Sequence, residues 1–175
     1  SGYGESEGTK KISLNQRVLD IGKVVEHFAP KYNEIILYGV SMGGISVAIA
    51  ATKYKQITKL VVLNGFFSFN PHKLYKKQIF GIGLYLATHP KAWSEIYYWF
   101  RHFQAKRMTV PTLVVYGEKD SDVKPAQSIS FFSHLQGKKR LVAVPDGDHL
   151  LMNKEYWPLM EAIPNWIREE VGKTK

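Results

Sequence analysis

After Ser13 the apolar residues Leu14, Val18, Ile21, Val25 and Phe28 recur at intervals of four, three, four and three. That period lines one face of an α-helix, and Ser13 is a suitable N-cap. A different rhythm follows. Ile35, Ile36, Leu37 and Tyr38 form an unbroken apolar run, and further strand-like runs rich in Val and Leu end at Leu63 and occupy residues 110–116 and 139–144. Short continuous runs bounded by Gly or Pro read as strands buried on both faces. Between them, residues 45–51 (Ile-Ser-Val-Ala-Ile-Ala-Ala) read as a helix, and another begins near Pro125. Tyr156, Met160, Ile163, Ile167 and Val171 trace a last helical stripe, which Pro164 is expected to kink or split. Helices alternating with buried strands predict an α/β fold on a parallel sheet.

One short motif gives this pattern chemical content. Gly39-Val40-Ser41-Met42-Gly43 spells G-x-S-x-G between the run at 34–38 and the helix at 45–51. Bare G-x-S-x-G arises by chance in roughly one chain in twenty of this length, so the context carries the argument. A serine at the apex of a tight strand-to-helix turn is an exposed nucleophile, and the flanking glycines leave room for backbone crowded around it. Ser41 then needs an imidazole to take its proton and an acid to orient that imidazole. Gly117-Glu-Lys-Asp120 follows the strand at 110–116, and the carboxyl ends of parallel strands are where open α/β sheets place their sites. Asp120 is therefore the candidate acid, with Asp122 in reserve. Of six histidines, only His149 follows a strand in a Gly-containing loop, Pro145-Asp-Gly-Asp-His149, downstream of that acid. Asp146, Asp148 and His149 could in principle bind a metal, but a triad explains His149 better, and no cofactor or metal is expected.

With Gly-Tyr-Gly-Glu-Ser at 2–6, Gly-Val-Ser-Met-Gly-Gly at 39–44, Gly-Glu-Lys-Asp at 117–120 and Gly-Asp-His at 147–149, the chain resembles the α/β-hydrolase family. Within it, the chain is most similar to the serine esterase, lysophospholipase and monoacylglycerol-lipase-like branch. The resemblance implies a parallel-sheet α/β-hydrolase fold of which four strands, the C-terminal half, are present, with a helical cap inserted at about 66–108. It also implies one domain over residues 1–175 lacking the family's N-terminal strands. The catalytic residues would be Ser41, Asp120 and His149, with the Met42 N–H as one oxyanion donor and no identified source for the second. The strand at 35–38 would then be a sheet edge needing cover, by a partner chain or a further segment.

Aromatic residues are dense between Leu63 and Val110, in the expected cap. Phe66, Phe67, Trp93 and Tyr97 are candidate substrate contacts, suited to an apolar acyl chain or an aromatic group. Composition is that of a globular chain: 45% hydrophobic, 22% charged, no Cys, and no apolar run long enough to span a bilayer. Without cysteine no disulfide can form, which favours a cytoplasmic location. The net charge of +9 allows peripheral contact with anionic membranes, but it is dispersed and accompanied by no nucleic-acid motif, so no nucleic-acid partner is expected. No phosphate loop or H-E-x-x-H motif is present. The expected function is serine hydrolysis of a small carboxylic ester through an acyl-enzyme. The alternatives are an amide or thioester substrate, and a catalytically silent binding module of the same fold.

Overall fold

The apolar runs become four strands, β1 (Ile36–Val40), β2 (Lys59–Leu63), β3 (Thr112–Gly117) and β4 (Lys139–Val144). Among the described residues four helices accompany them: α1 (Leu14–Phe28), α2 (Met42–Lys53), α3 (Pro125–His134) and α4 (Ala162–Val171). This computed structural model describes residues 7, 13–65, 67, 97–98, 103–156 and 161–171. The strands pair in parallel, in the order β1-β2-β3-β4. Parallel neighbours cannot be joined by a hairpin, so each connection crosses a face of the sheet. α2 makes the first crossing and α3 the third. Most of the connection from β2 to β3, including most of the expected cap, lies outside the described residues.

Alternating side chains of the central strands feed two cores. Leu60, Val62 and Val114 pack on one face with Val18 and Val25 of α1 and Ile45 and Ile49 of α2. Val61, Leu63, Leu113 and Val115 pack on the other with Leu151 and Trp166. Every residue of α2 from Gly44 to Ala51 is buried, which explains why that stretch has no polar face. Lys59 is buried at the start of β2, where its ammonium meets Glu34 Oε1 at 3.1 Å and donates to the Ile167 carbonyl at 3.3 Å. Burying that charge is tolerable because both contacts replace lost water.

Two local expectations are revised. Phe28 belongs to the apolar stripe of α1 by spacing, yet it is 42% exposed and its ring rests against His27 and Tyr32. The stripe from Tyr156 to Val171 is not one described helix: Tyr156 ends a 3₁₀ turn (Lys154–Tyr156), residues 157–160 lie outside the described residues, and Pro164 falls near the start of α4. Pro164 is the third residue of that helix, within the first turn, where its missing N–H breaks no intrahelical bond.

The register aligns Val40 with Leu63, Leu63 with Val115, and Gly117 with Val144. Ser41, Asn64, the loop after Gly117 and the loop after Val144 therefore leave the same carboxyl edge. Among the described residues β1 pairs with β2 alone.

Candidate active site

β1 ends at Val40 and α2 begins at Met42, which leaves Ser41 alone in the turn. Its φ of 51° and ψ of −122° are conformations that residues with a β-carbon rarely adopt. Such a conformation costs on the order of 1–3 kcal/mol and persists only where surrounding structure enforces it. Here Ser41 N donates to the Leu63 carbonyl at 3.0 Å, and the Ser41 carbonyl accepts from Gly44 N at 2.9 Å. The glycines of the motif are not equivalent. A β-carbon on Gly39 would lie 2.5 Å from Val47 Cγ2 and 2.7 Å from the Gly43 carbonyl oxygen, whereas one on Gly43 would meet nothing within 4 Å. Gly39 makes the space through which the backbone of Gly43 passes. Met42 supplies the first N–H of α2, a donor with no acceptor inside the helix and at the positive end of its dipole.

His149 Nε2 lies 3.0 Å from Ser41 Oγ, and His149 Nδ1 lies 2.8 Å from Asp120 Oδ2. Asp120 is only 2% exposed. Its other oxygen, Oδ1, accepts from the backbone N–H groups of Asp122 and Val123, each at 2.8 Å. A carboxylate removed from water is costly unless its lone pairs are occupied, and three donors occupy them here. Because Asp120 only accepts, the network assigns the proton of neutral His149 to Nδ1 and directs the Nε2 lone pair at Ser41. Asp122 does not face the imidazole: it is exposed, and its Oδ1 accepts from Ser121 Oγ at 3.4 Å. Asp148 serves the loop, accepting from Leu151 N at 2.7 Å. Asp146 pairs with Lys119, and that hydrogen bond and charge raise the lysine's pKa.

Two features of the site were not singled out by the sequence reading. The acid loop and the histidine loop pack backbone to backbone, with Lys119 N donating to the Gly147 carbonyl at 2.9 Å. Asn64 lies beneath them at the end of β2, 1% exposed and with a φ of 43°. Its Oδ1 accepts from Gly117 N at 2.8 Å, while its Nδ2 donates to the Asp148 carbonyl at 3.0 Å and the His149 carbonyl at 2.7 Å. Asparagine tolerates the left-handed region better than most residues, which accounts for its place at this turn but does not mark its hydrogen-bonding role in the sequence.

Of the candidate substrate contacts, Phe66 and Trp93 lie outside the described residues, as do residues 2–6. Tyr97 is 63% exposed. Phe67 is 5% exposed, its ring stacked on Phe131 with centroids 3.7 Å apart and on Phe103 at 5.5 Å. These three rings line a cavity of about 540 Å³ together with Arg107, Gln127 and His134. The Phe67 ring also passes 3.7 Å from where a β-carbon on Gly44, three residues after Ser41, would lie, while Ser41 and His149 are not among the residues that line the cavity.

A parallel sheet that sets a strained serine between strand and helix, with an acid and a histidine on later loops of the same edge, defines an α/β hydrolase of the serine-hydrolase class. The chain belongs to the prolyl oligopeptidase family, whose model matches residues 8–174. Solved structures share its fold. A monoacylglycerol lipase of Paleococcus ferrophilus superposes with a TM-score of 0.74 at 19% identity, over 94% of this chain and 79% of that one. The mouse alpha/beta hydrolase domain-containing protein 10 gives 0.75 at 18% identity, over 98% and 76%. Est1E from Butyrivibrio proteoclasticus, solved with ferulic acid bound, gives 0.66 at 20% identity, over 98% and 75%. No curated protein matches the chain.

Proposed function

We propose that this chain hydrolyses a carboxylic ester with an apolar acyl group, using Ser41 as nucleophile. The observation that carries the reading is the continuous hydrogen-bonded line from Asp120 Oδ2 through His149 to Ser41 Oγ, at 2.8 and 3.0 Å. Ser41 Oγ attacks the ester carbonyl carbon while its proton passes to His149 Nε2, and the carbonyl π electrons move onto oxygen. Asp120 stabilises the resulting imidazolium. The Met42 N–H donates to the oxyanion, where a preorganised dipole acts without the reorganisation that water would need. When the oxyanion collapses, the bond to the alcohol oxygen breaks and His149 returns the proton to that oxygen. Water then attacks the acyl-enzyme by the same route, its proton going to His149, and the second collapse releases the acid and restores the Ser41 hydroxyl.

An apolar acyl group is favoured by the stack of Phe67, Phe131 and Phe103 beside the elbow helix. Its cavity falls in the range of small-molecule sites, roughly 300–1,000 Å³. Amide cleavage is the second reading, favoured by the family's description as prolyl oligopeptidases. Hydrolysis of p-nitrophenyl acyl esters tests the first. Ser41→Ala and His149→Ala should each lose on the order of 10⁴ to 10⁶ in turnover with KM little changed. Equal rates in the native chain and Ser41→Ala would end the assignment.

A further inference from the structure

We infer that Asn64 is the positioning residue of this site. Its carboxamide holds the backbone of His149 in register with Ser41 and Asp120, a role that rests on the reading of those three residues as the catalytic set.

Both amide hydrogens of Asn64 are spent on the two carbonyls that frame the histidine, those of Asp148 and His149, at 3.0 and 2.7 Å. Its oxygen takes the Gly117 N–H at 2.8 Å, at the end of the strand from which the Asp120 loop departs. The orientation of the amide is unambiguous, because the flipped form would set NH₂ against N–H and oxygen against two carbonyls. Asn64 itself is anchored: its backbone N–H donates to the Val115 carbonyl at 2.9 Å, and Ser41 N donates to the carbonyl of the preceding residue, Leu63, at 3.0 Å. One buried side chain thus links the strand end that supports the serine, the loop that carries the acid and the backbone that carries the imidazole. The His149 ring must satisfy Ser41 and Asp120 at once, and a misplacement of about 1 Å can cost on the order of 100-fold in rate.

Two substitutions separate positioning from structural support. Asn64→Asp keeps the side chain's shape and its bond from Gly117 N, but turns a carboxylate oxygen toward the two carbonyls. Asn64→Ala removes all three bonds. In both, kcat for a p-nitrophenyl ester should fall on the order of 10- to 100-fold with KM within about twofold. Asn64→Asp should also move the acid limb of the kcat/KM profile to higher pH, because a new negative charge near His149 favours the imidazolium. The Nδ1–H of His149, read by proton NMR as a low-field resonance in the native chain, should broaden or shift in both variants. That signal reports the geometry even if the chain hydrolyses no ester, so the two readings fail separately: ester hydrolysis can be absent while the resonance still depends on Asn64. Folded variants with native kcat and an unchanged resonance would overturn the inference. Loss of the fold in both would overturn it as well, since Asn64 would then be a structural residue alone.

Discussion

Gly117 and Gly147 lie backbone against backbone where the acid loop meets the histidine loop: a β-carbon on Gly117 would fall 2.3 Å from the Gly147 carbonyl oxygen and 2.7 Å from that of Asp148. A side chain there must push the histidine loop away from the sheet. Gly117→Ala is therefore expected to lower kcat at least 10-fold and to cost about 1–3 kcal/mol of stability, the usual penalty of overpacking. Urea unfolding and ester turnover on the same preparation check both halves, and a variant that matches the native chain in both would show that the loops yield freely.

The acid offers a sharper test, because two aspartates stand two positions apart. In Asp120→Asn, the oxygen should stay with the Asp122 and Val123 N–H groups at the Oδ1 position, leaving NH₂ toward His149 Nδ1. That reverses the imidazole tautomer, and turnover should drop roughly 10⁴-fold. Asp122→Asn should have a minor effect. The opposite ranking in steady-state kinetics would move the acid to Asp122.

The two motif glycines should behave differently on substitution. Gly39→Ala places a methyl 2.5 Å from Val47 Cγ2 and 2.7 Å from the Gly43 carbonyl, and should destabilise the chain by about 1–3 kcal/mol. Gly43→Ala enters open space inside α2 and should be neutral or stabilising by up to about 1 kcal/mol, from helix propensity. Equal denaturation midpoints for the two variants would contradict the crowding at Gly39.

If the acyl group lies along the Phe67, Phe103 and Phe131 stack, chain length should matter. Each methylene buried contributes about 0.8 kcal/mol, so an ester series should span roughly 10-fold or more in kcat/KM. Phe103→Ala, at the partly exposed end of the stack, should reduce that span about threefold or more. An unchanged profile would put the acyl group elsewhere.

The convergence of Ser41, Asp120 and His149 on one edge was legible because each follows a run of β-branched and apolar residues that reads as a buried strand, so parallel topology brings their loops together. The four strands followed from the same runs, and their parallel direction from the helices between them. Phe28 was misread because helical spacing gives a face and not its depth. Asn64 and the Gly117–Gly147 approach stayed hidden for a different reason. Their partners are 84 and 85 residues away for Asn64, and no local pattern marks a residue whose work is to accept and donate across loops that distant. The inequality of Gly39 and Gly43 was equally invisible, since both satisfy the motif and only the path of α2 past β1 separates them.

The central claim is that Ser41 is a nucleophile activated by His149, and covalent labelling tests it without knowledge of the substrate. The folded chain is incubated with a fluorophosphonate, digested, and the modified residue located by mass spectrometry. The account predicts a phosphonate on Ser41, and labelling at least 100-fold slower in His149→Ala, where general-base assistance is removed. A folded chain that stays unlabelled, or labelling in Ser41→Ala at the native rate, would contradict it.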